Sequence, residues 1–212
     1  MIVRVWQQAI KADLGPVIVA CAQTEIAECI DVAGGIPILT HPDLPSGSDR
    51  VRQAAEIYDP DGNFDIIMNL QGDMPLIDPQ VLIAAVQVLR DHPEADIATA
   101  VCATSDAAQI DNPNIVKAVI NPDGRALYFS RSPVPHGADT VFHHVGLYAY
   151  RRAALTRFCS LPPSILEQTE RLEQLRALEN GMTIYTAEID SAPVGVDTPE
   201  DLAQAIAVIM GS

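Results

Sequence analysis

Basic side chains are scarce in this sequence: 13 Lys and Arg stand against 28 Asp and Glu, a formal net charge of −15 over 212 residues. A surface that acidic excludes a general nucleic-acid binder, which needs a basic face to neutralise phosphates. It leaves room for a nucleotide as substrate, because a few local cations can hold one. Long apolar runs are missing too. No stretch approaches the roughly 18 consecutive apolar residues that span a bilayer. The first residues, Met1-Ile-Val-Arg-Val-Trp-Gln-Gln8, carry no basic leader ahead of a long apolar run. The four cysteines, Cys21, Cys29, Cys102 and Cys159, form no CxxC pair, so they read as reduced core thiols before they read as a zinc site or a disulfide. These absences point to a soluble cytoplasmic protein with neither a membrane nor a nucleic-acid partner. What remains is a globular composition, 48% hydrophobic and 19% charged, long enough for one domain with a sizeable core.

Apolar runs alternate with helical periods through the first half. Strands are predicted at Val17–Cys21, Ile36–Thr40, Phe64–Leu70 and Asp96–Ala103, with helices at Glu25–Val32, Asp49–Tyr58 and Pro79–Arg90 between them. That rhythm predicts an α/β fold, a mostly parallel sheet with helices on both faces. The pattern changes after Ser105. Ile115–Ile120 and Arg125–Arg131 read as a hairpin turning at Asp123-Gly124, followed by a strand at Val141–Arg151. A helix at Glu167–Asn180 ended by Gly181, a strand at Thr183–Glu188 and a helix opened by Thr198-Pro199-Glu200-Asp201 complete the chain. No composition break marks a boundary, so residues 1–212 are expected to form one domain with an inserted β-rich subregion. The front is odd. Ile2, Val3, Val5, Trp6 and Ile10 make an apolar helical stripe with no strand before it, whereas a doubly wound domain opens on a strand and a phosphate-gripping loop.

Four segments combine chemistry-bearing residues. Asn69-Leu-Gln-Gly-Asp-Met-Pro75 follows the strongest strand, at the strand end where parallel sheets place ligands. Asp73 there suits a hard cation such as Mg²⁺, although Gly-Asp-x-Pro is also ordinary turn chemistry. Val194-Gly-Val-Asp197 ahead of the last helix offers a second carboxylate, or simply part of that helix's cap. Ser46-Gly-Ser-Asp-Arg50 places two hydroxyls and a cation at a helix start, a setting for phosphate or a base carbonyl and equally for plain capping. In Phe142–Arg151 strict alternation puts His144, Gly146, Tyr148 and Tyr150 on one strand face, able to hydrogen-bond a polyhydroxylated ligand or to pack as a half-buried strand. Glu170–Arg176 taken alone reads as a solvated helix surface.

In this order the segments resemble the 3-deoxy-manno-octulosonate cytidylyltransferases (CMP-Kdo synthetases). The family pattern S-G-T-[DE]-R stands here as Ser46-Gly-Ser-Asp-Arg50, and V-Q-G-D-E-P as Leu70-Gln-Gly-Asp-Met-Pro75. Asn114-Ile-Val-Lys117, Ala126-Leu-Tyr-Phe-Ser-Arg131, His144-Val-Gly-Leu-Tyr-Ala-Tyr150, Leu172-Glu-Gln-Leu-Arg176 and Gly195-Val-Asp-Thr-Pro-Glu-Asp-Leu202 follow. The sialic acid cytidylyltransferases share the Gln-Gly-Asp region but fit the later segments less well. The resemblance implies a Rossmann-like nucleotide-diphospho-sugar transferase fold whose β-rich insert makes a homodimer. It implies transfer of CMP from CTP to 3-deoxy-D-manno-octulosonate (Kdo) with release of pyrophosphate, for lipopolysaccharide synthesis. By the same resemblance Asp73 and Asp197 would be catalytic and bind Mg²⁺. Ser46, Gly47, Arg50 and Gln71 would bind CTP. Gln71, Arg131, His144, Tyr148, Glu173 and Gln174 would bind Kdo, with Arg131 on the sugar carboxylate.

The sequence departs from the family pattern in two places. Met74 replaces a Glu beside the expected metal. The family's opening strand and its loop I-P-A-R-x-x-S-x-R-L-P-x-K-P-L have no counterpart, and Met1-Ile2-Val3 matches a later P-M-I. On that reading the chain is N-terminally truncated and should show a gap between strands, exposed apolar surface and weak or no activity. A non-catalytic remnant acting through its dimer interface, or a transferase for a related sugar, is the alternative.

Overall fold

A computed structural model describes residues 1–193, 195, 196 and 198–211 of the chain. The first half alternates as the apolar pattern predicts: α1 (Ile2–Lys11), β1 (Ile18–Cys21), α2 (Thr24–Val32), β2 (Ile36–Leu39), α3 (Gly47–Tyr58), β3 (Ile66–Asn69), α4 (Pro79–Asp91) and β4 (Ile97–Thr104). The second half runs α5 (Ala107–Asp111), β5 (Lys117–Ile120), β6 (Ala126–Ser130), β7 (Val141–Arg151), α6 (Arg152–Ser160), α7 (Ile165–Glu170), α8 (Gln174–Glu179), β8 (Ile184–Glu188) and α9 (Pro199–Gly211). Where one domain was expected, the described residues gather into two compact units. One holds residues 1–64, 69–83 and the described part of 193–211; the other holds 65–68 and 84–192.

The first unit contains the parallel pair β1–β2, in register from Ile18 opposite Ile36 to Cys21 opposite Leu39. Trp6 of α1 and Ile30 of α2 close over the chain as it enters β2. A Cβ on Gly35 would lie 2.7 Å from Ile30 Cγ2 and 2.9 Å from Trp6 Cε2, so only glycine lets that backbone pass so close. Ile30 is fully buried, whereas Val32, Ile36 and Leu39 are exposed.

The second unit is built on a six-stranded sheet in the order β6-β5-β7-β4-β8, with β3 also pairing β7. The α/β class holds, but this sheet is mixed. β4 and β8 run parallel, while β7 is antiparallel to both β4 and β5, and β6 is antiparallel to β5. The strand–helix rhythm speaks only for chain-adjacent strands, and β7 enters between β4 and β5 from far downstream. The hairpin turns where expected. Asn121 N and Gly124 N close it onto Arg125 O and Asn121 O, and Gly124 takes φ +86°, which favours glycine. Ala98, Ala100, Val101, Phe129, Leu147 and Ala149 are all fully buried and form the centre of this sheet's core.

Two elements correct the sequence reading. The helix expected over 167–180 is two short helices, α7 and α8, because Arg171 adopts the left-handed conformation (φ 56°, ψ 48°) and stops α7. The expected solvated surface of Glu170–Arg176 is largely interior, with Leu172, Gln174, Leu175 and Arg176 buried. Helices α5 and α6 were not foreseen.

Candidate active site

The residues expected to bind the nucleotide lie in the first unit, at the carboxyl end of β3 and the start of α3. Ser46 caps α3: its Oγ accepts from Asp49 N at 3.2 Å and donates to Asp49 Oδ2 at 2.8 Å. Asn69 ends β3 fully buried, and its Nδ2 reaches Ser48 Oγ at 3.5 Å. Gln71 donates from Nε2 to Asn69 Oδ1 at 3.1 Å. A Cβ on Gly47 would meet both amide atoms of Gln71 at 3.6 Å, so the Gln71 side chain lies against the first residue of the helix. Ser46, Gly47 and Gln71 are therefore brought together beside backbone N–H groups that favour an anion. Ser48 and Asn69 complete the group. Sequence reasoning passed over them, although Asn69 stands at the very end of the strongest strand.

Arg50 is placed differently from a free cation. Its Nη1 donates to Thr40 Oγ1 at 2.6 Å and to His41 O at 3.3 Å, and its Nη2 donates to Pro42 O at 3.4 Å. With Gln53 Oε1 accepting from His41 N at 2.7 Å, it ties the β2–α3 loop to α3.

Asp73 follows the Gln71-Gly72 turn, and its carbonyl accepts from Val196 N at 2.9 Å. That bond lays the 195–196 segment directly beside Asp73. Asp197 lies outside the described residues. Beyond it, Thr198 and Asp201 cap α9 reciprocally, Asp201 N to Thr198 Oγ1 at 3.2 Å and Thr198 N to Asp201 Oδ2 at 2.9 Å. Among the described residues no three His, Cys, Asp or Glu side chains cluster as a ready metal cage. Met74 is buried, so this departure from the motif places an apolar side chain in the core.

Of the residues expected to bind the sugar, all but Gln71 lie in the second unit. His144 and Tyr148 of β7 are both buried, with ring centroids 5.6 Å apart, and Phe129 of β6 meets the His144 ring edge-on at 4.8 Å. The column continues from Tyr148 to Tyr150 and Phe158, each step 5.9 Å. His144 Nε2 lies 2.9 Å from Thr99 Oγ1. Burial of the Tyr148 phenol, then the neighbouring Tyr150 and Glu173, raise its pKa well above the ordinary tyrosine value. Gln174 is buried, and its Nε2 has no hydrogen-bond partner among the described residues. An amide donor held dry in this way gains most from a ligand acceptor.

Arg131 is held by carbonyls. Its Nε donates to Glu170 O at 2.9 Å, Nη1 to Pro113 O at 3.1 Å and Nη2 to Arg171 O at 3.3 Å. The Glu170 carboxylate accepts from Ser130 Oγ at 2.7 Å and from Arg131 N at 2.9 Å. Beneath it Lys117, fully buried, donates from Nζ to Asn112 O, Ile115 O and Arg131 O at 2.7, 2.9 and 3.0 Å. Its pKa is lowered by burial, against the opposing pull of Asp111. A fully buried lysine cannot be read from sequence, although the Asn-Ile-Val-Lys motif marked its position.

Burial, with His143 adding to it, pushes the His144 pKa down from 6.5 to about 3. The folded protein thus keeps a neutral imidazole where the unfolded chain takes up a proton. The unfolded state binds more protons between about 3 and 6.5, so stability falls as pH falls through that window. At about 1.36 kcal/mol per pH unit, going from pH 6.5 to 5 should remove about 2 kcal/mol through this residue. Urea unfolding at the two pH values checks this, and His144→Gln should lose that share of the difference.

The strand-end loop, the serine–glycine helix start and the mixed α/β frame define a Rossmann-like nucleotidyltransferase. Comparison with known proteins narrows the class. The cytidylyltransferase family model matches residues 1–184. Over 99% of its length the chain is 51% identical to a 3-deoxy-manno-octulosonate cytidylyltransferase of Rhodospirillum rubrum, covering 85% of that protein. A second such protein, from Paramagnetospirillum magneticum, is 50% identical, with 87% covered. A solved structure of CMP:2-keto-3-deoxy-manno-octonic acid synthetase complexed with CTP superposes with a TM-score of 0.91 at 37% identity, over 99% of this chain and 87% of that one. A 4-diphosphocytidyl-2C-methyl-D-erythritol synthase from Anaerococcus prevotii, 11% identical at a TM-score of 0.63, shares the fold alone. The chain belongs to the cytidylyltransferase family.

Proposed function

We propose that this protein transfers CMP from CTP to Kdo, releasing pyrophosphate. The observation that carries the reading is the likeness to the synthetase solved with CTP, across 99% of this chain. In the reaction an oxygen of the sugar acid's anomeric hydroxyl forms a bond to the α-phosphorus of CTP. The bond from that phosphorus to the pyrophosphate oxygen breaks, and the hydroxyl proton is released. Catalysis of such a step is mainly positioning and electrostatics.

Ser46, Gly47 and Gln71 bind the nucleotide at the α3 start, where backbone N–H groups face negative charge. Arg50 shapes that site by holding residues 40–42 against α3. His144, Tyr148, Glu173 and Gln174 bind the sugar acid, and Gln174 offers the waiting donor. Arg131 orders the β6 end against the α7–α8 junction, beside which the sugar carboxylate is expected. Asp73 and Asp197 would hold Mg²⁺. The donor chemistry fits: two hard carboxylates, with the Val196 N bond to the Asp73 carbonyl laying residues 195–196 beside Asp73. When bound, the ion supplies positive charge to phosphate oxygens. The reading includes a soluble cytoplasmic protein that works as a homodimer; no helix among the described residues is long and apolar enough to cross a membrane.

The test is a substrate panel. The purified chain with Mg²⁺, Kdo and CTP should release pyrophosphate and form CMP-Kdo, with ATP, GTP, UTP and sialic acid giving far less. Preference for another base or sugar overturns the assignment.

A further inference from the structure

His144 and Tyr148 are four residues apart on one strand, a spacing that spans about 13 Å in a regular strand. Their rings nevertheless lie 5.6 Å apart. The reason is an irregularity in the β4–β7 ladder. Ala98 pairs with Ala149 and Ala100 pairs with Val145, so Gly146, Leu147 and Tyr148 all stand opposite one residue, Thr99. This bulge sets Val145 and Ala149 opposite residues only two apart on β4, which shortens β7 locally and draws the two rings together.

Thr99 holds that bulge. Its side chain is fully buried, and its Oγ1 lies 2.8 Å from Leu147 O, 3.1 Å from Val145 O and 2.9 Å from His144 Nε2. Carbonyl oxygens only accept, so the single hydroxyl proton goes to them. With that proton on the carbonyls the oxygen's remaining capacity is to accept, and this arrangement favours the proton between Thr99 and His144 on Nε2. The other ring nitrogen, Nδ1, is left with a lone pair.

We propose that Thr99 is a positioning residue for the sugar-acid side of the reaction: it locks the β7 bulge and fixes His144 as the Nε2–H tautomer, presenting Nδ1 as an acceptor for a substrate hydroxyl. The inference rests on the reading that His144 and Tyr148 bind the sugar acid. Thr99 itself touches no substrate in this scheme. Alanine or valine there would leave two bulge carbonyls and one imidazole N–H without their partner.

The first arm needs no variant. ¹⁵N chemical shifts of the His144 ring in the wild-type chain should report protonated Nε2 and bare Nδ1; the reverse tautomer overturns the proposal. Adding Kdo should then shift Nδ1, and if it shifts neither ring nitrogen the sugar-binding reading fails while the tautomer result stands apart from it. The second arm is steady-state kinetics of Thr99→Val and Thr99→Ser. Val should raise KM for Kdo about tenfold with KM for CTP within twofold, and Ser, which keeps the hydroxyl, should restore both. Equal KM for Kdo in Val and wild type, or a Ser variant as impaired as Val, overturns it. Should Val not fold, the Ser kinetics and the wild-type tautomer still decide the question.

Discussion

Asp73→Asn should lower kcat about 10²–10³-fold, the scale on which removal of one preorganised electrostatic group slows an enzyme. Asn keeps the size and one oxygen of the side chain and removes the charge. The local frame should survive, because the Val196 N bond goes to the Asp73 main-chain carbonyl. Thermal unfolding of the variant should therefore match the wild type within a few degrees. Pyrophosphate release titrated with Mg²⁺ should need far more of the ion to reach its plateau. Unchanged kcat and an unchanged Mg²⁺ requirement would remove Asp73 from the proposed metal site.

Arg176→Met carries the second large effect, this time on stability. Buried Arg176 pairs with half-buried Glu167: Nε donates to Oε2 at 2.8 Å and Nη2 to Oε1. The guanidinium also stands 4.9 Å over the Phe158 ring. Burial acts to raise the Glu167 pKa, but the Arg176 hydrogen bond, the Ser164 backbone N–H and the Arg176 charge together hold it low. Removing the cation alone strands a largely covered carboxylate, a loss of about 3 kcal/mol, the low end for buried pairs. For a chain of this size that lowers Tm by roughly 10 °C. Arg176→Met combined with Glu167→Gln should recover most of the loss, because the amide oxygen can still accept from Ser164 N. A single variant within about 1 kcal/mol of wild type in urea would show the pair to be solvated.

The strands and helices of the first half were legible because their apolar runs are separated by clear turn and cap residues. Ser46 before α3 and Pro79 at the start of α4 both stand where the sequence put them. What failed was local structure decided by distant packing. Nothing in Leu166–Leu178 announces that Arg171 turns left-handed, since arginine is a good helix former; the break lets Arg176 reach Glu167. Helix α6 has no side-chain cap to signal it. The candidate site divides in the same way. Ser46, Gly47, Gln71 and Asp73 were readable because motif and strand end coincide. Alternation also put His144 and Tyr148 on one face, but it could not foresee the bulge that makes them neighbours, because period-two reasoning assumes an unbroken ladder. Arg50 and Arg131 were read as ligand-binding cations, and their hydrogen bonds to main-chain carbonyls exist only once the loops they hold have folded.

Trp6, packed against Gly35, is the one tryptophan in the sequence, and it belongs to the first unit. Four of the five tyrosines, Tyr128, Tyr148, Tyr150 and Tyr185, belong to the second. Indole emission excited at long wavelength therefore follows the first unit alone, while near-ultraviolet absorbance of the tyrosines is weighted to the second. The molecule carries its own two-colour label, and a denaturation followed at both wavelengths would show directly whether the two units come apart together or one before the other.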